Sequence, residues 1–296
     1  MAVGNFDGVH RGHANIVAQL LARAQEVGGP AVVFTFDPHP VRLLRPLQCP
    51  PPLTWTERKA ELLAKLGVDW IVSYPTDQRM LSLTARQFFD EIISESLGAR
   101  AIVEGPNFYF GKNREGNVDT LREFTTAAGV SLDIVEPVEI EGELVSSSRI
   151  RSLIGAYGDV STARRLLTQP YRLRGLVTHG AGRGATIGVP TANLAGIDTL
   201  LPSPGVYAGL AWLDKLPWQA AINIGPNPTF GESVPKVEVH LIGWKKPLYG
   251  AALEVDFLTR LREIQPFGSV DLLKAQLKHD IERANELACA YLTTGE

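Results

Sequence analysis

The sequence predicts an α/β domain built on a parallel sheet, followed by a small antiparallel β-barrel with a C-terminal helix. Three observations predict it. From residue 14 to about residue 135 the hydrophobic period switches repeatedly between helix and strand, the mark of helices alternating with parallel strands. After about Pro170 the texture changes to short alternating segments separated by glycine and proline turns. The last stretch returns to a helical period. At 296 residues the chain has room for two ordinary domains, and the change of texture sets them at 1–168 and 169–296.

Each element has its own justification. Ala14, Val17, Leu20, Leu21 and Ala24 fall on one helical face, Gly28 and Gly29 stop that helix, and the apolar run 31–36 reads as a strand. Thr54 with Glu57 three residues on resembles a capping box, the helix it opens stops near Gly67, and 70–73 is strand-like. Thr84 with Gln87 opens a third helix, 101–104 makes a third short strand and 132–135 a fourth. In the second half, 172–177, 205–210, 219–223, 237–241 and 253–258 are the barrel strands. Gly268 and Ser269 introduce a helix on which Leu273, Leu277, Ile281 and Ala284 share a face.

Composition narrows the function classes. With 45% apolar and 21% charged residues and a mean hydropathy near zero, the chain has the makeup of a globular protein with real cores. A net charge of -3 argues against gripping a nucleic-acid backbone over a broad surface, whereas a small anionic ligand needs only a local site. Cys49 and Cys289 are too few for a disulfide framework or a cysteine metal site, so a reducing cytoplasm is expected. The apolar runs are strand-sized, so neither a membrane span nor a signal peptide is expected. Only three residues precede Gly4, so the strand feeding that glycine would be very short; either the start lies upstream or the first strand is clipped.

The string GNFDGVHRGH, from Gly4 to His13, is a glycine-rich turn leading into the first helix, where an α/β fold binds phosphates. Glycine lets the backbone approach, free amides at the helix start carry partial positive charge, and His10 and His13 can both donate to one anion. Such donors stabilise the charge that builds when phosphorus is attacked. The string resembles the HxGH signature of the nucleotidyltransferase superfamily, in the form carried by bacterial FAD synthetases. TFDPHP at 35–40 follows the second strand as in that family, and GPNFYFG at 105–111, followed by Arg114, Glu115 and Gly116, is similar to its third-strand loop. The resemblance implies a Rossmann-like nucleotidyltransferase domain in which Gly4, Phe6, Asp7 and Asn107 contact nucleotide or flavin. Tyr109 stands where the family usually has arginine. VSSSRIR at 145–151 resembles the family's Ser-Ser-Thr-x-x-Arg element, which implies that Ser147, Ser148 and Arg151 hold the β and γ phosphates of ATP.

The second constellation lies in residues 175–194, GLVTHGAGRGATIGVPTANL, whose glycines can fold backbone amides over phosphates. No Gly-Lys-Ser/Thr follows, so it is not a Walker loop. PTAN resembles the Pro-Thr-Ala-Asn motif of riboflavin kinases, which implies that Thr191 and Asn193 position ATP with Mg2+, Thr191 as a metal ligand, and that Gly180, Gly182 and Gly188 line the nucleotide. Along 237–241, Val237, Val239 and Leu241 share one face while Glu238 and His240 share the other. Glu238 matches the glutamate of the family's Val-Glu-Val-His segment, which implies a base for the riboflavin 5'-hydroxyl. Arg262 resembles a C-terminal arginine near the flavin. Val189 and Ile264 depart from the family's usual phenylalanine and glutamate.

From Gly4 to about Asp280 the motifs of both halves follow the order of the bifunctional riboflavin kinase/FAD synthetases. The resemblance implies riboflavin, FMN, FAD and ATP as ligands, Mg2+ with ATP, and neither nucleic acid nor membrane as partner. One alternative is a kinase alone, with an inefficient or inactive adenylyltransferase half; another is a flavin sensor without turnover.

Overall fold

The computed structural model describes residues 1–180, 184, 187–226 and 236–295, and its contacts divide the chain into two compact units. The first comprises Met1–Pro50 and Trp55–Ser146, the second Pro51–Thr54 and Ser147–Glu296.

In the first unit, β1 (Ala2–Val3), β2 (Val32–Asp37) and β3 (Trp70–Pro75) form a parallel sheet in the order β1-β2-β3, while β4 (Ala101–Glu104) and β5 (Ser131–Ile134) form a second parallel pair. Met1 joins the two: its amine donates to Ala101 O at 2.6 Å and its carbonyl accepts from Val103 N–H at 2.9 Å. The strands therefore run β3-β2-β1-β4-β5, and the order reverses beside β1, where open α/β sheets place their ligands. The expectation of a very short first strand holds, since β1 has two residues.

Helices connect these strands. α1 (Arg11–Val27) buries Val17, Leu20 and Ala24 and ends on Gly28 in the left-handed conformation. α2 (Pro40–Leu44) follows β2, and α3 (Thr56–Lys65) precedes β3. The cap of α3 is Trp55, one residue later than the Thr54–Glu57 pattern sets it. α4 (Gln78–Ser82) leads to α5 (Ala85–Gln87), whose Thr84–Gln87 capping box forms as expected and runs into a π-helical turn, Phe88–Ser96. α6 (Val118–Ala128) lies between β4 and β5, and a hairpin of β6 (Glu139–Ile140) and β7 (Glu143–Leu144) ends the unit. Its apolar residues form two clusters, one including Phe34, Phe88, Phe89 and Phe110, the other Phe6, Val17, Leu20 and Leu63.

The second unit is a closed antiparallel barrel, β10-β11-β12-β9-β8-β13, of β8 (Tyr171–Thr178), β9 (Ala192–Ala195), β10 (Gly205–Leu213), β11 (Leu216–Gly225), β12 (Lys236–Leu241) and β13 (Ala252–Arg262). All five strand segments expected from the sequence are present; β9 is the sixth, hidden in the glycine-rich stretch. Closure leaves no edge strand. Inward residues such as Leu173, Tyr207, Val239 and Phe257 are fully buried. α7 (Ser147–Arg151) continues into a π-helical turn, Ser152–Tyr157, and α8 (Val160–Leu166) packs on β13, with Ser161 Oγ donating to Leu258 O at 3.4 Å. These contacts group residues 147–168 with the barrel, whereas the change of sequence texture put the boundary at 168/169. α9 (Val270–Thr294), capped by Ser269, lies against β10, β11 and β13 and buries Leu273, Ala284 and Ala288 together with Asp280.

Candidate functional sites

In the first unit the string from Gly4 to His13 leaves β1 and enters α1 through a strained loop. Gly4 N–H pairs with Phe34 O at 2.9 Å, Phe6 has φ +46°, Gly8 +85° and Val9 +42°. Positive φ at a phenylalanine and at a β-branched valine each costs about 1–3 kcal/mol, a strain that clusters at ligand-binding turns. Burial holds the loop in place: Phe6 and Val9 lie in the core and Asp7 is 7% exposed.

The loop delivers His10 as the cap of α1. His13 N–H donates to His10 Nδ1 at 3.3 Å and His10 N–H donates to His13 Nδ1 at 3.4 Å, and the rings stack with centroids 3.6 Å apart. Because each Nδ1 accepts a backbone proton, the neutral tautomer of each ring carries its hydrogen on Nε2. Burial, then the neighbouring His10 and Lys59, hold the His13 pKa well below its ordinary 6.5. The pair thus presents two oriented Nε2–H donors, the His13 ring uncharged, at a helix start, where an anion is favoured.

The loop after β4 is anchored by its phenylalanines. Phe108 and Phe110 stack at 5.4 Å, Phe110 pairs with Gly116, and Asn107 and Tyr109 are exposed. The Arg114 guanidinium lies 4.5 Å from the centroid of the Tyr109 ring. Gly111, at φ +75°, passes so close to α5 that a Cβ would lie 2.5 Å from Ala85 N, which only glycine tolerates. Ser147, Ser148 and Arg151 fall on α7 in the second unit, where Arg151 Nε donates to Pro51 O at 3.1 Å.

In the barrel, strand register assembles what the sequence scatters. Thr178 opposes Asn193, Asn193 opposes Glu238, and Glu238 opposes Asn223, a row across β8, β9, β12 and β11. Residues directly opposite share a face, and these four lie outside the barrel while their neighbours Val177, Leu194, Val237 and Ile224 fill it. Asn223 Nδ2 donates to Glu238 Oε2 at 3.3 Å, so the base candidate is half-buried and oriented. His240 Nδ1 meets Pro190 O at 2.7 Å; a carbonyl only accepts, so His240 donates and ties the PTAN segment to β12. A cleft of about 390 Å³, of small-molecule size, is lined by Thr178, His179, Gly180, Asn193 and Lys236 among others.

Gly180 packs against this row. A Cβ on Gly180 would lie 2.2 Å from Asn193 Nδ2, so the backbone there rests on the asparagine amide. Gly188 sits in a turn at φ +87°, and Thr191 is half-buried just before β9. Gly182 lies outside the described residues. Arg262 is placed at the end of β13, but its guanidinium is engaged by buried Asp280 through Nε at 3.0 Å and Nη2 at 2.8 Å. As placed, the arginine ties β13 to α9.

Sequence reasoning gave no role to Thr178, Asn223 or Lys59. Asn223 opens NIGPNPTF, a stretch that resembles the kinase pattern, but its place opposite Glu238, like that of Thr178 opposite Asn193, is visible only once the strands are paired. Lys59 had a signal: with Leu62 and Leu63 it occupies the buried stripe of α3, where a lysine is unexpected. Among the described residues no cluster of three or more His, Cys, Asp or Glu could hold a metal, and no helix is long and apolar enough to cross a membrane.

In comparison with known proteins, two family models match separate parts of the chain. A family model described as FAD synthetase matches residues 1–149 and one described as riboflavin kinase matches residues 167–288. The bifunctional riboflavin kinase/FMN adenylyltransferase of Pseudomonas fluorescens is 37% identical over 287 residues, covering 97% of this chain and 92% of that protein. The protein of the same name from Bacillus subtilis (strain 168) is 35% identical over 291 residues, 96% of this chain and 90% of that one. Among solved structures, one described as a macrolide-efflux protein from Streptococcus pneumoniae matches with a TM-score of 0.85 and 33% identity, covering 96% of this chain and 93% of that one.

Proposed function

Because the chain belongs to the bifunctional riboflavin kinase/FMN adenylyltransferase family, we propose that its two units use two separate residue sets for two successive uses of ATP. The chain is an enzyme of flavin cofactor synthesis. Riboflavin and ATP give FMN and ADP in the C-terminal part; FMN and ATP then give FAD and pyrophosphate in the N-terminal part. We set the functional domains at 1–168 and 169–296.

The observation that carries the kinase assignment is the cross-strand row beside the cleft. Glu238, oriented by Asn223, accepts the proton of the riboflavin 5'-hydroxyl as that oxygen attacks the γ phosphorus and ADP leaves. Asn193 and the backbone at Gly180, Gly182 and Gly188 hold the nucleotide, and Arg262 is assigned to the flavin side. A divalent cation fits the donor set. The Thr191 hydroxyl and the asparagine carbonyl are hard oxygens, and the absence of a carboxylate cluster among the described residues suits an ion that arrives with the phosphates. We assign it as Mg2+, which supplies charge neutralisation on the phosphates when bound.

In the N-terminal part a phosphate oxygen of FMN attacks the α phosphorus of ATP, and the bond to the bridging oxygen breaks to release pyrophosphate. No protein nucleophile is required. His10 and His13 donate through Nε2 to the oxygens on which charge builds. Gly4, Phe6, Asp7 and Asn107 line nucleotide and flavin, and Ser147, Ser148 and Arg151 are assigned to the outer phosphates of ATP. We place the enzyme in the cytoplasm, in keeping with the free Cys49 and Cys289.

Purified protein incubated with ATP and Mg2+, once with riboflavin and once with FMN, tests this by chromatography of the flavins. FMN and then FAD form in the first incubation, and FAD and pyrophosphate in the second. If supplied FMN yields no FAD, the N-terminal assignment falls and a kinase alone remains; if riboflavin releases no ADP, the kinase assignment falls.

A further inference from the structure

Lys59 is a buried cation that the proposed chemistry does not yet use. It is 8% exposed and sits on α3 beside Leu62 and Leu63, where an ammonium is costly unless opposed and hydrogen-bonded. Its Nζ donates to Thr35 Oγ1 at 3.3 Å, and Thr35 Oγ1 donates in turn to Asn5 O at 3.3 Å. Thr35 is 1% exposed. This chain of bonds leads from α3, through the last residues of β2, to the strained loop that delivers the histidine pair. Asp7, buried in that loop, and Asp37, at the end of β2, supply the opposing charge. The lysine is therefore tied to the loop through Thr35 and interacts electrostatically with two carboxylates and a histidine.

We propose that Lys59 is a positioning residue for adenylyl transfer: through Thr35 it fixes the glycine loop, and its charge sets the electrostatics under His10 and His13. The inference rests on the adenylyltransferase reading of the first unit. Two consequences follow from where the cation sits. The loop carries backbone strain at Phe6 and Val9, and a tether from a neighbouring helix holds it in that shape. The ammonium also repels a proton on His13, favouring the uncharged ring that donates through Nε2. The charged and titratable groups around it are His13, His10, Asp7 and Asp37. Removing the lysine leaves the two carboxylates without their cation, which drives His13 the same way as losing the repulsion, toward protonation.

The test compares Lys59→Met and Lys59→Arg with the wild type. FAD formation from supplied FMN and ATP is followed across pH, riboflavin phosphorylation is measured on the same samples, and the His13 ring is titrated by NMR. For Lys59→Met the expected result is a fall in kcat of about 10²-fold, the scale of a misplaced catalytic group. The KM for FMN changes little, the acid limb of the profile and the His13 titration move toward neutral pH, and riboflavin phosphorylation is unchanged. Lys59→Arg keeps the charge and restores the acid limb. Unaltered FAD formation in Lys59→Met overturns the proposal. So does a loss of activity with the acid limb and the His13 titration unmoved, which is a structural defect only. If Lys59→Met fails to fold, Lys59→Arg decides: a folded arginine variant whose His13 titration departs from wild type as though the charge were absent overturns it. Should the wild type itself make no FAD, the adenylyltransferase reading fails, and the His13 titration still decides the coupling to Lys59.

Discussion

The two sites proposed for ATP have opposite constructions. The first places its donors at the start of a helix: three residues of sequence separate His10 from His13, and each ring is aimed by the other's backbone amide. The second places its groups on four strands of a barrel, and Thr178, Asn193, Glu238 and Asn223 meet only because the register brings them opposite one another. In the helix site, orientation is local and strain in the loop is its cost. In the barrel site, orientation is collective and comes from a closed ladder that no single strand could hold. A mutation in either construction should therefore stay within it.

The largest break expected is Glu238→Gln. It should lower riboflavin phosphorylation about 10²–10⁴-fold, the usual contribution of a general base, while FAD formation from supplied FMN continues at the wild-type rate. Equal loss of both activities would contradict separate sites. Next, His13→Ala should lower FAD formation from FMN about 10²–10³-fold, as for loss of an oxyanion donor, with riboflavin phosphorylation intact; steady-state rates with each flavin measure both.

A smaller effect sharpens the comparison through stability rather than chemistry. Gly111→Ala puts a methyl 2.5 Å from Ala85 N at φ +75° and should destabilise the first unit by about 2–4 kcal/mol. On mild heating, adenylyl transfer should then be lost at a temperature where kinase activity survives. The smallest effect is a pH slope. Folded His13 titrates well below 6.5, so between its folded and unfolded pKa values the unfolded chain binds the extra proton. The stability this contributes is fully present above pH 6.5 and declines as pH falls, by at most about 1.4 kcal/mol per pH unit. Urea unfolding of the first unit at a series of pH values should show that slope, and His13→Gln should flatten it.

Much of this was legible because the signals were short-range. The helix period placed α1 and α9, and the Thr84–Gln87 box marked the start of α5. The alternation of Val237, Glu238, Val239, His240 and Leu241 gave the inner and outer faces of β12. Elsewhere the structure adds to the local reading. The Thr54–Glu57 pattern sets the start of α3 one residue early, because the helix begins after Trp55. The textural boundary at 168/169 differs from the contact boundary, since α8 has an α/β-like composition but packs on β13. The guanidinium of Arg262, at the end of β13, is engaged by buried Asp280, eighteen residues on, a pairing that no local pattern announces.

By itself the sequence determined the local chemistry: a glycine turn entering a helix with two histidines, a glutamate on the outer face of a strand, a threonine and an asparagine after a glycine-rich stretch. These depend on spacings of a few residues, and helical and extended geometry convert such spacings directly into directions. Tertiary structure alone decided that β4 lies beside β1, that Asn223 and Thr178 join the glutamate's row, and that Lys59 is tied through Thr35 to the glycine loop. Those neighbours are 15 or more residues apart. Which residue stands opposite which is fixed by packing and hydrogen-bond register over the whole unit, and no local rule contains that information.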